Sequence, residues 1–208
     1  WQRIKAAFIK ATGEMPHPGM KVLLSVSANF HEAYGFSWIV DDIDPSYTLG
    51  DMARKRLAII NELKAQGVFV MQRQLSLPMF AMRIAVISSA NAAGYGDFCN
   101  QLADNEYGFK FRTQLFPAIM QGEQVEASVI EALNKINDEA DSFDVVVIIR
   151  GGGATADLSG FDTLRLAENV ANFPLPIITG IGHERDESVL DLVAHHNVKS
   201  PTAAAAFL

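Results

Sequence analysis

From Pro78 onward, short apolar runs alternate with longer stretches in which apolar residues recur three or four positions apart. Four runs have β character: Arg83 to Ser88, Lys110 to Pro117, Asp144 to Arg150 and Pro176 to Gly180. Between them lie helical patterns at about Ala92 to Ala103, Gln124 to Glu139 and Phe161 to Ala171, with another after Asp186. Val125, Val129, Leu133 and Ile136 place one apolar stripe on the second of these helices. Strand then helix, repeated, is the sequence form of a parallel sheet covered on both faces. The fold class expected is α/β, with a parallel or mostly parallel sheet and helices on both faces.

The first 50 residues follow a different pattern. A helical stretch from Trp1 to Thr12 leads to a turn at Pro16, Pro18 and Gly19, and then to two β-type runs, Lys21 to Ala28 and Phe36 to Ile43, around Tyr34 and Gly35. Two strands alone make no stable sheet, so this hairpin reads as part of a larger β unit or as a pair that docks elsewhere. Trp1 is read as a cut start. From Thr48, taken as a cap, Leu57, Ile60 and Leu63 recur at helical spacing until Gly67. The expected division is a β unit over 1–50, a linker helix over 51–73 and a main α/β domain over 74–208.

Composition narrows the function classes. The 208 residues carry a net charge of -7, which argues against a chain that coats nucleic acid by charge alone. The charge is unevenly spread: residues 1–73 hold nine Lys/Arg against seven Asp/Glu, whereas 74–208 hold eight against seventeen. An anionic polymer is better sought in the first third. Arg54, Lys55 and Arg56 cluster there and could meet phosphates, although a solvated helix face is the stronger reading of them. The single cysteine, Cys99, excludes an internal disulfide and reads as a small core residue, which fits a reducing, cytoplasmic setting. No apolar run approaches the length of a membrane span.

In open α/β sheets ligands bind beyond the carboxyl ends of the strands. After the third strand stand Arg150, Gly151, Gly152 and Gly153. Glycines free the backbone to take positive φ and to bring amides close to an anion, and Arg adds a fixed fork of donors. A phosphate is the natural guest, with a plain tight turn as the bland alternative. The Gly-x-Gly-x-x-Gly spacing of a dinucleotide site is absent because position 156 is Ala. After the fourth strand come Gly182 and His183, the best acid/base candidate, with Asp186 three residues on either orienting the imidazole or starting a helix. After the first strand, Ser88 and Ser89 are candidate phosphate donors, and Asp97 either holds a water or the histidine, or is a solvated surface residue. His195 and His196 are adjacent, make a poor metal pair and read as solvated.

Taken together, Arg150-Gly-Gly-Gly with Asp157-Leu158 and Phe161, then Pro176-Ile-Ile-Thr-Gly-Ile-Gly-His-Glu-Arg-Asp186, Asp191 with Val193-Ala194, and Pro201-Thr202-Ala203-Ala204 resemble the exodeoxyribonuclease VII large-subunit family. The similarity spans about residues 20 to 208. It implies an OB-type domain that binds single strands, followed by an α/β nuclease domain that cleaves single-stranded DNA from either end to short 5′-phosphorylated products. It places the functional Asp, Arg, His and Asp on Asp97, Arg150, His183 and Asp186. Residues 20–43 resemble the tail of the OB barrel, with Lys21, Phe36, Trp38 and Arg54 as expected nucleic-acid contacts and some of Phe30, Tyr34, Phe36 and Trp38 as core.

The segment Ser88-Ser-Ala-Asn-Ala-Ala-Gly-Tyr-Gly-Asp97 departs from the family's usual Thr-Ser-Pro-Thr-Gly-Ala-Ala and its Arg before the Asp. The resemblance also implies a partner, the small subunit, held by a coiled coil that follows the position of Leu208, so this piece is not expected to assemble the holoenzyme. It implies no strictly required metal or other cofactor. Two aspartates are a thin ligand set for two-metal chemistry, though Mg²⁺ stays possible. Two other classes remain open from the residues: a single-stranded DNA-binding module without catalysis, and an α/β enzyme acting on a small phosphorylated metabolite.

Overall fold

In a computed structural model of the chain, described for residues 1–13, 15–151, 158–182 and 187–208, two compact units are found, Trp1–Ala58 and Ile59–Leu208. The first begins with α1 (Gln2–Thr12), which Gly13 ends in a left-handed conformation, φ 78°. The antiparallel hairpin β1 (Leu23–His31) and β2 (Gly35–Asp44) follows, with Gly35 at φ 73° closing its turn. α1 packs on β2, and Phe8 and Ile43 are buried there. Helix α2 (Pro45–Ala65) starts three residues before Thr48. Asp44 Oδ1 accepts from Ser46 N and Oγ, and Pro45 takes the first helical position, where a missing N–H costs nothing. Thr48 therefore lies inside the helix, where its hydroxyl donates to the Lys21 carbonyl at 3.0 Å.

The second unit opens with the last turns of α2, from Ile59, followed by the short α3 (Met71–Gln74), and then builds a five-stranded sheet. Its elements in chain order are β3 (Arg83–Ser88), α4 (Ala93–Ala103), β4 (Arg112–Pro117), α5 (Val125–Asn137), β5 (Val145–Ile149), α6 (Leu164–Ala171), β6 (Ile177–Gly180), α7 (Val189–Val193), β7 (His196–Asn197) and α8 (Pro201–Phe207). All strands are parallel, in the order β4-β3-β5-β6-β7. Side chains alternate across the sheet as a pleated strand requires. Ala85, Ile87, Val146, Ile148 and Ile177 join one core with α5, α6 and α7. Ile84, Val86, Val147, Ile149 and Ile178 join a second with α4 and α8. This is the α/β sheet with both faces covered that the alternation of runs predicts.

The chain leaves β3 for β4, then returns past β3 to β5 and continues in the other direction. Helix α4 consequently lies on the face opposite α5 and α6, and a crevice opens at the carboxyl ends of β3 and β5. At the opposite end of the strands an ion pair ties β3 to the segment before β5. Arg83 Nε and Nη2 donate to Asp144 Oδ1, its backbone N–H donates to Oδ2 at 2.8 Å, and Nη1 donates to the Asp141 carbonyl. Burial pushes the Asp144 carboxyl up, but the Arg83 bonds outweigh it and hold it below its ordinary value. A carboxylate with a depressed native pKa contributes stability that is present above its unfolded pKa and lost as pH falls through the native one. Asp144→Asn is expected to remove about 1–2 kcal/mol at neutral pH, a few degrees of melting midpoint, and to flatten the loss of stability seen in wild type below pH about 4. Thermal melts between pH 3 and 7 check this.

Two expectations need correcting. His195 and His196 are half-buried, not solvated, because β7 adds them to the sheet edge. His195 N donates to the Ile177 carbonyl and its Nε2 to the Leu75 carbonyl, at 2.9 and 3.1 Å. His196 stacks on Phe207 at 4.0 Å and 10°, and burial, then the neighbouring His195, lowers its pKa. In the first unit Phe30, Tyr34, Phe36 and Trp38 are all exposed, since a two-stranded hairpin has no second sheet to cover them. Among the described residues no helix is long and apolar enough to cross a membrane.

Candidate active site

Three strand ends build the floor of the crevice. Beyond β3 come Ser89, Asn91, Ala92 and Ala93, beyond β4 Ala118 to Gln121, and beyond β5 Arg150 and Gly151. Together they line a cavity of about 470 Å³. Arg150 directly follows β5, whose residues are all buried, and is only 7% exposed. Its backbone N–H extends the ladder to the Gly180 carbonyl at 3.3 Å, so the base of the side chain is fixed by the sheet. No carboxylate is among the described lining residues. A buried guanidinium at an open crevice with no acid among the described lining residues favours an anionic guest.

Helix α4 adds to this field. Its N-cap, Ala92, offers no side-chain cap, and Ala92 and Ala93 line the cavity. Ala92 N and Tyr95 N already donate to the Ser89 and Ala92 carbonyls, both at 3.1 Å, so the Ala93 and Gly94 amides and the positive end of the helix dipole are what is left for a ligand. The approach of α4 to the end of β5 depends on two glycines. A Cβ on Gly94 would stand 2.9 Å from Gly151 Cα and 2.9 Å from Pro201 Cγ, and one on Gly151 would stand 3.0 Å from Ala92 Cβ. Gly151 does not take the positive φ expected of it, and what demands glycine there is space. Gly94→Ala is expected to push α4 off the strand end, with a stability loss of about 1–3 kcal/mol. A thermal melt tests this, and an unchanged midpoint would contradict it.

Of the residues singled out in the sequence, Ser89, Arg150 and Gly151 are brought together in the cavity. Ser88 is fully buried behind it: its carbonyl accepts from Ala118 N at 2.9 Å, and its Oγ has no partner among the described residues. Asp97 is exposed on α4, one turn beyond Ala93 and outside the lining. Gly152, Gly153, His183 and Asp186 lie outside the described residues. So does Asp157 of the quoted motif.

Buried hydrogen bonds tie together the two flanks of the segment that carries His183 and Asp186. Thr179 Oγ1 donates to Asp191 Oδ1 at 2.6 Å, Ser188 N and Oγ donate to Oδ2 at 2.9 and 2.8 Å, and Asp191 N returns a bond to Ser188 Oγ. All three residues are buried. Asp191 therefore joins the last turn of β6 to the capping box that starts α7. Sequence reasoning noted Asp191 only as part of a motif. The Ser-x-x-Asp spacing from Ser188 was the signal for its capping role.

In the first unit, Phe36 and Trp38 are exposed and meet edge to face, with centroids 4.9 Å apart. Lys21, Arg54 and Lys55 surround Asp51 at 3.8, 3.4 and 3.1 Å. The hydrogen bond from Lys55, with Arg54 and Lys21 beside it, holds the Asp51 carboxyl below its usual range. Part of the basic cluster is thus spent on an internal acid. Among the described residues no group of three His, Cys, Asp or Glu is placed to hold a metal ion.

Comparison with known proteins connects this chain to a family. A family model described as exonuclease VII, large subunit, matches residues 68–208. Three similar relatives, each called exodeoxyribonuclease 7 large subunit, come from Deinococcus radiodurans, Nostoc sp. and Cyanothece sp. The first is 39% identical over 208 residues, covering 99% of this chain and 50% of the relative. The second is 39% identical over 157 residues, covering 76% and 37%. The third is 35% identical over 192 residues, covering 92% and 44%. The chain spans half or less of the length of these curated relatives.

Proposed function

Since the chain belongs to the exonuclease VII large-subunit family, we propose that it carries the phosphodiester-hydrolysing site of a single-stranded DNA exonuclease and that the crevice beyond β3 and β5 is that site. The observation that carries the reading is the buried Arg150 in a cavity with no carboxylate among its described lining residues, beside the start of a helix that has no side-chain cap. Negative charge grows on the phosphoryl oxygens as water attacks. Arg150, the amides of Gly151 to Gly153 and the first turn of α4 offset that charge without reorganising. His183 takes the proton of the attacking water or returns one to the leaving oxygen. Asp186 orients the imidazole, and Asp97, on the exposed side of α4, positions water or the histidine from the rim. Ser89 donates to a phosphoryl oxygen, with Ser88 behind it. The single strand is attacked from either end and released as short 5′-phosphorylated pieces.

The 1–50 segment acts as part of an OB-type single-strand-binding domain, 51–73, which holds most of α2 and of α3, as the connector and 74–208 as the catalytic domain. Phe36 and Trp38 stack bases, and Lys21 and Arg54 meet phosphates. Trp38→Ala in the full-length protein is expected to weaken single-strand binding by about 1–3 kcal/mol, read by fluorescence anisotropy, without changing the chemical step. The partner is the small subunit, and the setting is the cytoplasm. The reaction is proposed to need no resident metal.

The test uses the full-length large subunit with its small subunit on end-labelled single- and double-stranded oligonucleotides, in chelator and in Mg²⁺. Short acid-soluble products from the single strand alone, in chelator, are expected. Activity abolished by chelator and restored by Mg²⁺ would overturn the metal-independent mechanism, and no cleavage under any condition would overturn the nuclease reading itself.

A further inference from the structure

The wall of the cavity opposite the phosphate groups is unlike them. Ala118, Ile119 and Met120 present carbon, and their chain is fixed so that it presents little else. Ala118 N donates to the Ser88 carbonyl at 2.9 Å and Ile119 N to Ser128 Oγ at 2.8 Å, so both amides are already used and offer nothing to an anion. Ala118 and Met120 are buried, and Ile119 stands 45% exposed at the rim. Flanking this wall, the side-chain amides of Asn91 and Gln121 line the same cavity, and neither makes a hydrogen bond among the described residues.

We infer that this wall is a nucleoside subsite: Ile119 and Met120 hold the sugar and base of the nucleotide whose phosphate meets Arg150, with Asn91 and Gln121 touching the base edge. The inference rests on the phosphate reading of Arg150 and Gly151 and adds a second half to the cavity. A volume of about 470 Å³ lies within the range of small-ligand pockets. A primary amide presents both donors and an acceptor, so it satisfies the edge of any of the four bases. The subsite therefore holds a nucleotide without reading its identity. The apolar wall rewards burial of the sugar and base faces, which a bare phosphate lacks.

The test titrates the full-length protein with thymidine 5′-monophosphate and with inorganic phosphate by calorimetry. Wild type is expected to bind the nucleotide at least about tenfold more tightly than phosphate, a factor equivalent to about 1.4 kcal/mol. Ile119→Asn should abolish that advantage while leaving phosphate affinity unchanged, and Ile119→Leu should restore it. Arg150→Met should weaken both ligands. Equal affinity of wild type for the two ligands, or an Ile119→Asn protein that keeps the full advantage, would overturn the subsite alone. An Ile119→Asn protein that loses phosphate equally would show Ile119 shaping the phosphate wall, which also overturns it. Failure of wild type to bind either ligand would overturn the phosphate reading, and the subsite with it.

Discussion

Arg150→Met in the full-length protein is expected to lower the single-turnover rate of single-strand cleavage by about 10²–10³-fold, the usual cost of losing one preorganised donor to a developing oxyanion. The size follows from where the guanidinium stands. It is 7% exposed, its base is pinned in the sheet through the Gly180 carbonyl, and no carboxylate is among the described residues that line the cavity. Water screens a buried charge less than a surface one, so its effect on the reacting phosphoryl group is stronger there. Arg150→Lys should recover only part of the rate, since an ammonium cannot reproduce two parallel donors. Strand affinity should fall much less, because the proposed stacking surface of Phe36 and Trp38 lies in the other unit. A variant that binds and cleaves like wild type would remove Arg150 from the chemistry.

Asp191→Ala is expected to be the most destabilising of these changes. The substitution leaves Thr179 Oγ1, Ser188 Oγ and Ser188 N without their shared acceptor in a buried setting. Donors stranded in this way cost about 1–3 kcal/mol each, and a total on the order of 3–5 kcal/mol lowers the melting midpoint by about 6–15 °C for a domain of this size. Asp191→Asn should fall between, since its one carbonyl oxygen satisfies either Thr179 or Ser188 but not both. Because Thr179 and Ser188 flank the segment that carries His183 and Asp186, cleavage should drop with stability, and at temperatures where the variant stays folded. A midpoint within 2 °C of wild type, roughly the effect of less than 1 kcal/mol, would contradict this account.

The parallel sheet was legible because its strands are buried on both faces. Runs such as Val145–Ile149 have no polar alternate positions, and few other structures hide them. β7 was not legible, since two residues, His196 and Asn197, carry no period and their pairing is set by β6. α8 was within reach: Ser200 caps it by accepting from Ala203 N, and Pro201 takes its first turn. The start of α2 was missed for a related reason, as Asp44-Pro45 was the stronger start signal and Thr48 the weaker one.

In the candidate site, charged and glycine-rich strand ends drew attention to Arg150, Gly151 and Ser89, and the fold does bring those three into one cavity. It sets Ser88 behind the cavity and Asp97 beyond it, because a strand's last residue and a helix's second turn point where the pleat and the 3.6-residue period send them. The apolar wall from Ala118 to Met120 gave no chemical signal at all. Its role depends on which strand lies beside β3, and that is a property of topology.

The most direct test of the central claim is a structure of the full-length His183→Ala protein with a short single strand made of cleavage-resistant phosphorothioates. The account expects a backbone phosphate within hydrogen-bonding distance of the Arg150 guanidinium and the Gly151 amide, at the start of α4, with its nucleoside against Ile119. A strand bound elsewhere, with no phosphate in this cavity, would contradict it.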